Sequence, residues 1–376
     1  MMHYTKNRAK VLIGACIMSL ITTAGWSQTL TWLGTLGGIE SMANGVSADG
    51  SVVVGWSRNA AGQPRAFRWT AAGGMQDLGT LGGAESYAHG VSADGSVVVG
   101  WSRNAAGQPR AFRWTAAGGM QDLGTLGGAE SYAHGVSADG SVVVGWSRNA
   151  AGQPRAFRWT AAGGMQDLGT LGGDWSEANG VSADGSVVVG VSDGRAFRWV
   201  NGVMQNLGTL PDTGYSEARS VSANGQVVVG FAVNTAGQHR AFRWTAAGGM
   251  QDLGTLPDRE YSEARSVSAD GRVVVGAAYT VAPGPTGPAF RWTQARGMQD
   301  LNQVYASLLT GNSSLLEANA ISPNGRYIGG LGYNSVGALF EAFLLDTGLP
   351  RGDVNGDGCV DDADLLEVLF NFGSGC

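Results

Sequence analysis

The chain has 376 residues, 62 of them glycine, with 43% hydrophobic and 14% charged side chains and a formal charge of −6. That apolar content excludes a disordered chain. Nucleic acid is excluded as a partner because no Lys/Arg cluster is present to neutralise phosphates. Abundant Gly among many Val, Phe and Trp predicts short strands joined by tight turns.

At the N-terminus Lys6, Arg8 and Lys10 precede an apolar run from Val11 to Ala24, and Gly25-Trp26-Ser27 supplies small residues ahead of Gln28. The pattern predicts an export signal over 1–27, and so a secreted, extracellular or cell-surface protein. The run falls short of the ~20 residues that a membrane-spanning helix needs. Cleavage would leave two cysteines, Cys359 and Cys376. An even pair in an exported chain predicts a disulfide.

Repetition dominates the middle of the chain. Residues 79–123 and 124–168 are identical, and 34–78 differ from them only at Ile39, Met42 and Asn44. An Ala-Asp-Gly-type turn recurs at Asp49, Asp94, Asp139, Asp184, Asn224, Asp270 and Asn324, at intervals of 40 to 54 residues. An Ala-Phe pair keeps step at Phe67, Phe112, Phe157, Phe197, Phe242, Phe290 and Phe343. Each unit offers four strand-like pieces, exemplified by Met75 to Leu81, Ala88 to Ser92, Ser96 to Ser102 and Arg110 to Thr115. The non-alternating Val97-Val98-Val99 run calls for burial on both faces. Asp-Gly suits a two-residue hairpin turn with positive φ. Such a period with four strands per unit predicts an all-β fold, a seven-bladed β-propeller over 28–347. If each blade begins at the Ala88-type strand, the N-terminal strand completes the last blade and removes the open edge.

SADGSVVVG, RAFRW and MQDLGTLGG together resemble the HAF repeats of extracellular bacterial proteins, over roughly residues 30 to 346. The resemblance implies an extracellular or surface setting and names no activity. In the last copy Leu344-Leu345-Asp346 replaces Arg-Trp-Thr.

Residues 348–376 form a separate module. Asp353, Asn355, Asp357, Asp361 and Asp364 place oxygen ligands at positions 1, 3, 5, 9 and 12 of a loop, with Gly358 at position 6 and Cys359 offering its backbone carbonyl. That spacing suits calcium, a hard cation that takes six or more oxygens. Leu365, Leu366, Val368, Leu369 and Phe372 then follow at helical spacing. Residues 352 to 373 resemble one repeat of a type I dockerin, an EF-hand-like loop and helix. Dockerins carry two such repeats. A lone one leaves its apolar helix face uncovered, which argues against a cohesin-like receptor as partner, while calcium binding survives.

Catalytic chemistry is sparse. Only four histidines occur, with no HxxH or CxxC spacing, no Gly-x-Ser-x-Gly elbow and no phosphate-cradling loop. Binding is the more natural reading, because loops that vary over a regular scaffold carry specificity. The varying segments are Arg103 to Pro109, the shortened Ser192 to Gly194, and the Tyr279 to Pro288 insertion. Near that face one strand position reads Asn44, His89, His134, Asn179, Arg219, Arg265 and Asn319. A neighbouring position reads Met42, Tyr87, Tyr132, Glu177, Glu217, Glu263 and Glu317. Its aromatic half, Tyr87 and Tyr132, and its acidic half would cup a polar ligand such as a glycan; strand-end Glu–Arg pairing is the plainer account of the same residues. The expectation is a non-catalytic surface propeller for a protein or polysaccharide, with a calcium-dependent attachment module. The alternatives are a glycoside hydrolase-like component of a polysaccharide-degrading system and a purely structural envelope protein.

Overall fold

The β-branched and aromatic runs separated by Gly-rich turns form strands throughout the computed structural model, which describes residues 28–210, 214–280 and 287–348. The segments read as an export signal and as a calcium loop with its helix, and all three cysteines, lie outside the described residues. Among the described residues no helix is long and apolar enough to cross a membrane.

The strands pair antiparallel into seven four-stranded units, five of them separate sheets and two, the first and last, joined into one eight-stranded sheet by a parallel bridge between Glu40 and Phe340. Six are continuous in sequence, over 37–77, 82–122, 127–167, 176–206, 216–252 and 261–300. In the second unit the strands are Gly82–Val91, Val97–Asn104, Pro109–Thr115 and Gly119–Asp122. The seventh takes three strands, Ser314–Ile321, Tyr327–Asn334 and Leu339–Asp346, from its own repeat. Thr29–Trp32 supplies the fourth by pairing with the last of these, Thr29 opposite Asp346 and Trp32 opposite Phe343. The expected closure is therefore the one observed in the strand pairing.

Two local expectations needed correction. The MQDLGTL segment is extended only over Gly74–Asp77, because Leu78 turns inward and Gly79 has φ 79°. The Asp-Gly turn is longer than a two-residue hairpin, since Val91 and Val97 end the strands that it joins. Positive φ belongs to Gly95 alone, at 72°. Asp94 serves by accepting hydrogen bonds from Ser92 Oγ at 2.6 Å, Ser96 N at 3.0 Å and Ser96 Oγ at 2.8 Å. These bonds hold its carboxyl down at about 2.

The core lies between units rather than within them. Val52, Val54, Ala66 and Leu78 of the first unit pack against Ala88, Val98, Phe112 and Trp114 of the second, and equivalent sets recur round the ring. All seven Ala-Phe phenylalanines are fully buried. Each contributes roughly 1.5–3 kcal/mol of hydrophobic stabilisation. Buried serines stitch the same seams: Ala66 N donates to Ser86 Oγ at 2.9 Å, and that hydroxyl donates to Gly79 O at 2.6 Å. Between first and second strands the backbones come so close that a Cβ on Gly100 would stand 1.9 Å from Tyr87 O.

First strands face the centre and meet one another from unit to unit. A backbone ladder links successive turns: Ala48 N donates to Ala93 O at 2.9 Å, and the series continues to Ala269 N and Pro323 O at 2.9 Å. Pro323 has no N–H to carry the ladder on. Last and first units are linked on their first strands, Asn319 Nδ2 donating to Ala43 O at 3.0 Å.

Candidate functional site: a polar ring and an aromatic arc

The first strands enclose a central cavity of about 490 Å³. One position per unit supplies its polar girdle, and these are the seven residues read from the sequence: Asn44, His89, His134, Asn179, Arg219, Arg265 and Asn319. Glu177 and Glu217 also line it.

The asparagines are structural as well as polar. Asn44 Nδ2 donates to Ala88 O at 2.9 Å and Asn179 Nδ2 to Ala218 O at 2.9 Å, each reaching the next unit. Histidine at the same place makes no such bond. The His89 and His134 rings lie 5.3 Å apart, and Nε2 of each is buried without a hydrogen-bond partner. Burial disfavours the charged form, so His89 is pushed down to about 3, with His134 adding repulsion, and His134 to about 4. Both imidazoles are neutral at physiological pH. His134 Nε2 stands 3.4 Å from Glu177 Oε1.

Across the ring the polar groups are ionic. Arg219 Nη1 pairs with Glu263 Oε2 at 3.0 Å, and its Nε lies 3.4 Å from Glu217 Oε1. Arg265 Nη1 donates to Glu317 Oε2 at 2.5 Å and to Asn319 Oδ1 at 2.6 Å. The other Glu263 oxygen takes His239 Nδ1 and the Tyr279 hydroxyl, each at 2.7 Å. Burial pushes the Glu263 carboxyl up, but bonds from His239, Arg219 and Tyr279 outweigh it and bring the group down to about 2. Glu177 and Glu217 move the other way: burial raises both, and Arg219 only partly offsets it.

Tyr87 and Tyr132 do not line the cavity. They sit two residues before His89 and His134 and belong to a continuous run of rings across the first three units. Trp56 and Tyr87 are 5.6 Å apart, Tyr87 and Trp101 stack at 4.6 Å, Trp101 and Tyr132 are 5.2 Å apart, and Tyr132 and Trp146 stack at 4.5 Å. All five rings are partly exposed. Sequence reasoning missed the three tryptophans. Their signal was their place in the second strand opposite the tyrosines, Tyr87 across from Trp101 and Tyr132 across from Trp146. It also missed His239, which occupies the place of Pro64, Pro109 and Pro154 at the head of a third strand.

Among the described residues no group of three or more His, Cys, Asp and Glu side chains is arranged to hold a metal ion. The candidate calcium ligands Asp353, Asn355, Asp357, Cys359, Asp361 and Asp364 lie beyond those residues.

A ring of four-stranded units round a ligand-sized central cavity defines a β-propeller. Comparison of folds agrees: an oligogalacturonate lyase in complex with manganese superposes with a TM-score of 0.55 at 13% identity, over 84% of this chain and 92% of that one. TolB from Acinetobacter baumannii gives a TM-score of 0.45 at 13% identity, over 76% of each chain. No family model and no curated protein sequence matches the chain.

Proposed function

We propose that the seven units are the blades of one secreted or cell-surface propeller that binds a polysaccharide, or a protein partner bearing comparable polar groups, without catalysis. The observation that carries this reading is the partly exposed five-ring arc, whose tyrosines share strands with His89 and His134 of the polar cavity. Half-exposed aromatic faces receive the apolar faces of sugar rings. His89 and His134 bring imidazoles, and Asn44 and Asn179 amides, to the wall of the cavity, groups of the kind that meet sugar hydroxyls. Residues 348–376, in this reading, form a calcium-ordered attachment module of the dockerin-like kind, and the repeats belong with HAF repeats.

The test is affinity electrophoresis of the mature protein through gels loaded with individual soluble polysaccharides, followed by Trp101→Ala and Trp146→Ala. Retardation by at least one polysaccharide, reduced severalfold in the double variant, is expected. Equal retardation of the variant sinks the arc as a binding platform. For the tail, calorimetric calcium titration should give one site that disappears in Asp353→Ala/Asp357→Ala.

One observation favours the catalytic alternative: His239 is oriented through Nδ1 by a buried, ionised Glu263. No Ser, Thr or Cys is hydrogen-bonded to it among the described residues, so binding stands as the better reading.

A further inference from the structure

Resting on the glycan-binding reading, we infer that the ligand at the central cavity is an amino-bearing sugar, whose ammonium group is received by Glu177 and Glu217.

The balance of charge round the ring points to a cation. Four carboxylates, Glu177, Glu217, Glu263 and Glu317, meet two guanidiniums, Arg219 and Arg265, there. Both cations are already engaged. Arg265 is held by Glu317 and Asn319, and Arg219 bonds to Glu263. Little cationic capacity is left for a carboxylated or sulfated ligand. On the arc side Arg103 and Arg148 are likewise paired, to Glu85 and Glu130 at 3.1 Å.

Glu177 forms no ion pair with an arginine among the described residues, and Arg219 offsets its burial only in part. Its near neighbour in the cavity is the His134 ring at 3.4 Å, and an imidazole kept neutral by burial offers no positive charge. Glu217 has the 3.4 Å approach of Arg219 Nε, without hydrogen-bond alignment, the Asn179 amide Nδ2 at 3.5 Å and the Tyr215 hydroxyl at 3.0 Å. Burial raises both carboxyls, the response of anions removed from water with too little positive charge nearby. An ammonium group supplies that charge and donates up to three hydrogen bonds, with the two carboxylates among the acceptors. The chain as a whole is acidic, which raises the local concentration of cationic ligands further.

The experiment is isothermal calorimetry of the mature protein at low salt with three oligosaccharides of equal length: glucosamine, N-acetylglucosamine and galacturonate. The glucosamine oligomer is expected to bind at least tenfold tighter than either of the others. Glu177→Gln, which keeps shape and removes charge, should abolish that preference, with a circular dichroism spectrum and melting temperature to show that the fold is retained. Glu217→Gln should act in the same direction. If the N-acetylated or acidic oligomer binds as well or better, glycan binding stands and the amine assignment falls. If none of the three binds, and none of the polysaccharides in the gel assay does, the glycan reading itself falls.

Discussion

The second and third units are copies of one another, and the fifth and sixth are not, and their polar groups are solved in different ways. In the former a histidine at the ring position leaves its Nε2 bare and its charge suppressed. In the latter, arginine at that position is locked into a network with Glu217, Glu263 and Glu317 that reaches outward to His239 and Tyr279. Identical repeats supply identical residues, so an asymmetric charge constellation arises where copies have diverged or meet a diverged neighbour, as His134 meets Glu177. Three changes made the sixth-unit cluster: glutamate in the place of Tyr87, tyrosine in the place of Arg103, and His239 in the place of a proline. The repeated half supplies a uniform surface, and the diverged half supplies direction.

The comparison breaks most sharply at Glu263. Its side chain is only 9% exposed and has four groups around it counting Arg219, His239 and Tyr279 as bonded partners and Arg265 nearby. Glu263→Ala removes the buried carboxylate on which Arg219, His239 and Tyr279 converge and is expected to cost about 3 kcal/mol in urea unfolding. Tyr87→Ala, at the same position of a copied unit, loses packing without leaving a charge unpaired, and should cost about 2 kcal/mol less.

A smaller effect separates the halves by pH. An unfolded histidine takes up a proton below ~6.5, whereas in the fold His134 does so only at about 4 and His89 at about 3. Between those limits the unfolded state binds more protons, so stability falls as pH drops, by up to ~1.4 kcal/mol per pH unit for each ring. Glu263 adds a further loss below its ordinary 4.5, while the raised Glu177 and Glu217 oppose it. The measurement that isolates the rings is therefore a difference. His89→Asn/His134→Asn should fold, because Asn44 and Asn179 hold the same place by bonding to the next unit's carbonyl. Its melting temperature should depend less on pH between 6.5 and 4 than that of the parent. Parallel curves would mean that the imidazoles titrate normally.

The smallest change tests what the halves share. Asp94→Ala removes the acceptor for Ser92 and Ser96 and should cost about 1 kcal/mol. Asp94→Asn should lie within a few tenths, since Asn224 makes the equivalent bond to Gln226 N at 3.1 Å in the fifth unit.

Strand count, the burial of both faces of the Val run, the seam made by Phe112 and Trp114, and the first-strand position that girdles the cavity were all legible in the sequence, because each depends on period and alternation alone. Pairings between units were not. His239 meets Glu263 across 24 residues and Arg265 meets Glu317 across 52. Which side chains face one another at such separations depends on the radius and tilt of the ring, which no local pattern encodes. Tyr87 and Tyr132 were read, with the glutamates, as a cup for a polar ligand; Glu177 and Glu217 line the cavity, while the tyrosines stack on Trp101 and Trp146 of their own hairpins. Asp94 was read as a carrier of positive φ because Asp-Gly is a hairpin signature. Two flanking serines instead made its carboxylate the nucleus of the turn.

The strand Thr29–Trp32 pairs with Leu339–Asp346, so the piece of the ring made first waits on the piece made last. While the polypeptide is being synthesised, or drawn through a pore, each new repeat can stack on its predecessor, but the circle has a missing sector until the final hairpin emerges. Biogenesis thus carries its own checkpoint. A truncated chain keeps a dangling leading strand and an exposed trailing edge, the marks by which chaperones and proteases recognise unfinished work, whereas the full-length chain buries both in a single step.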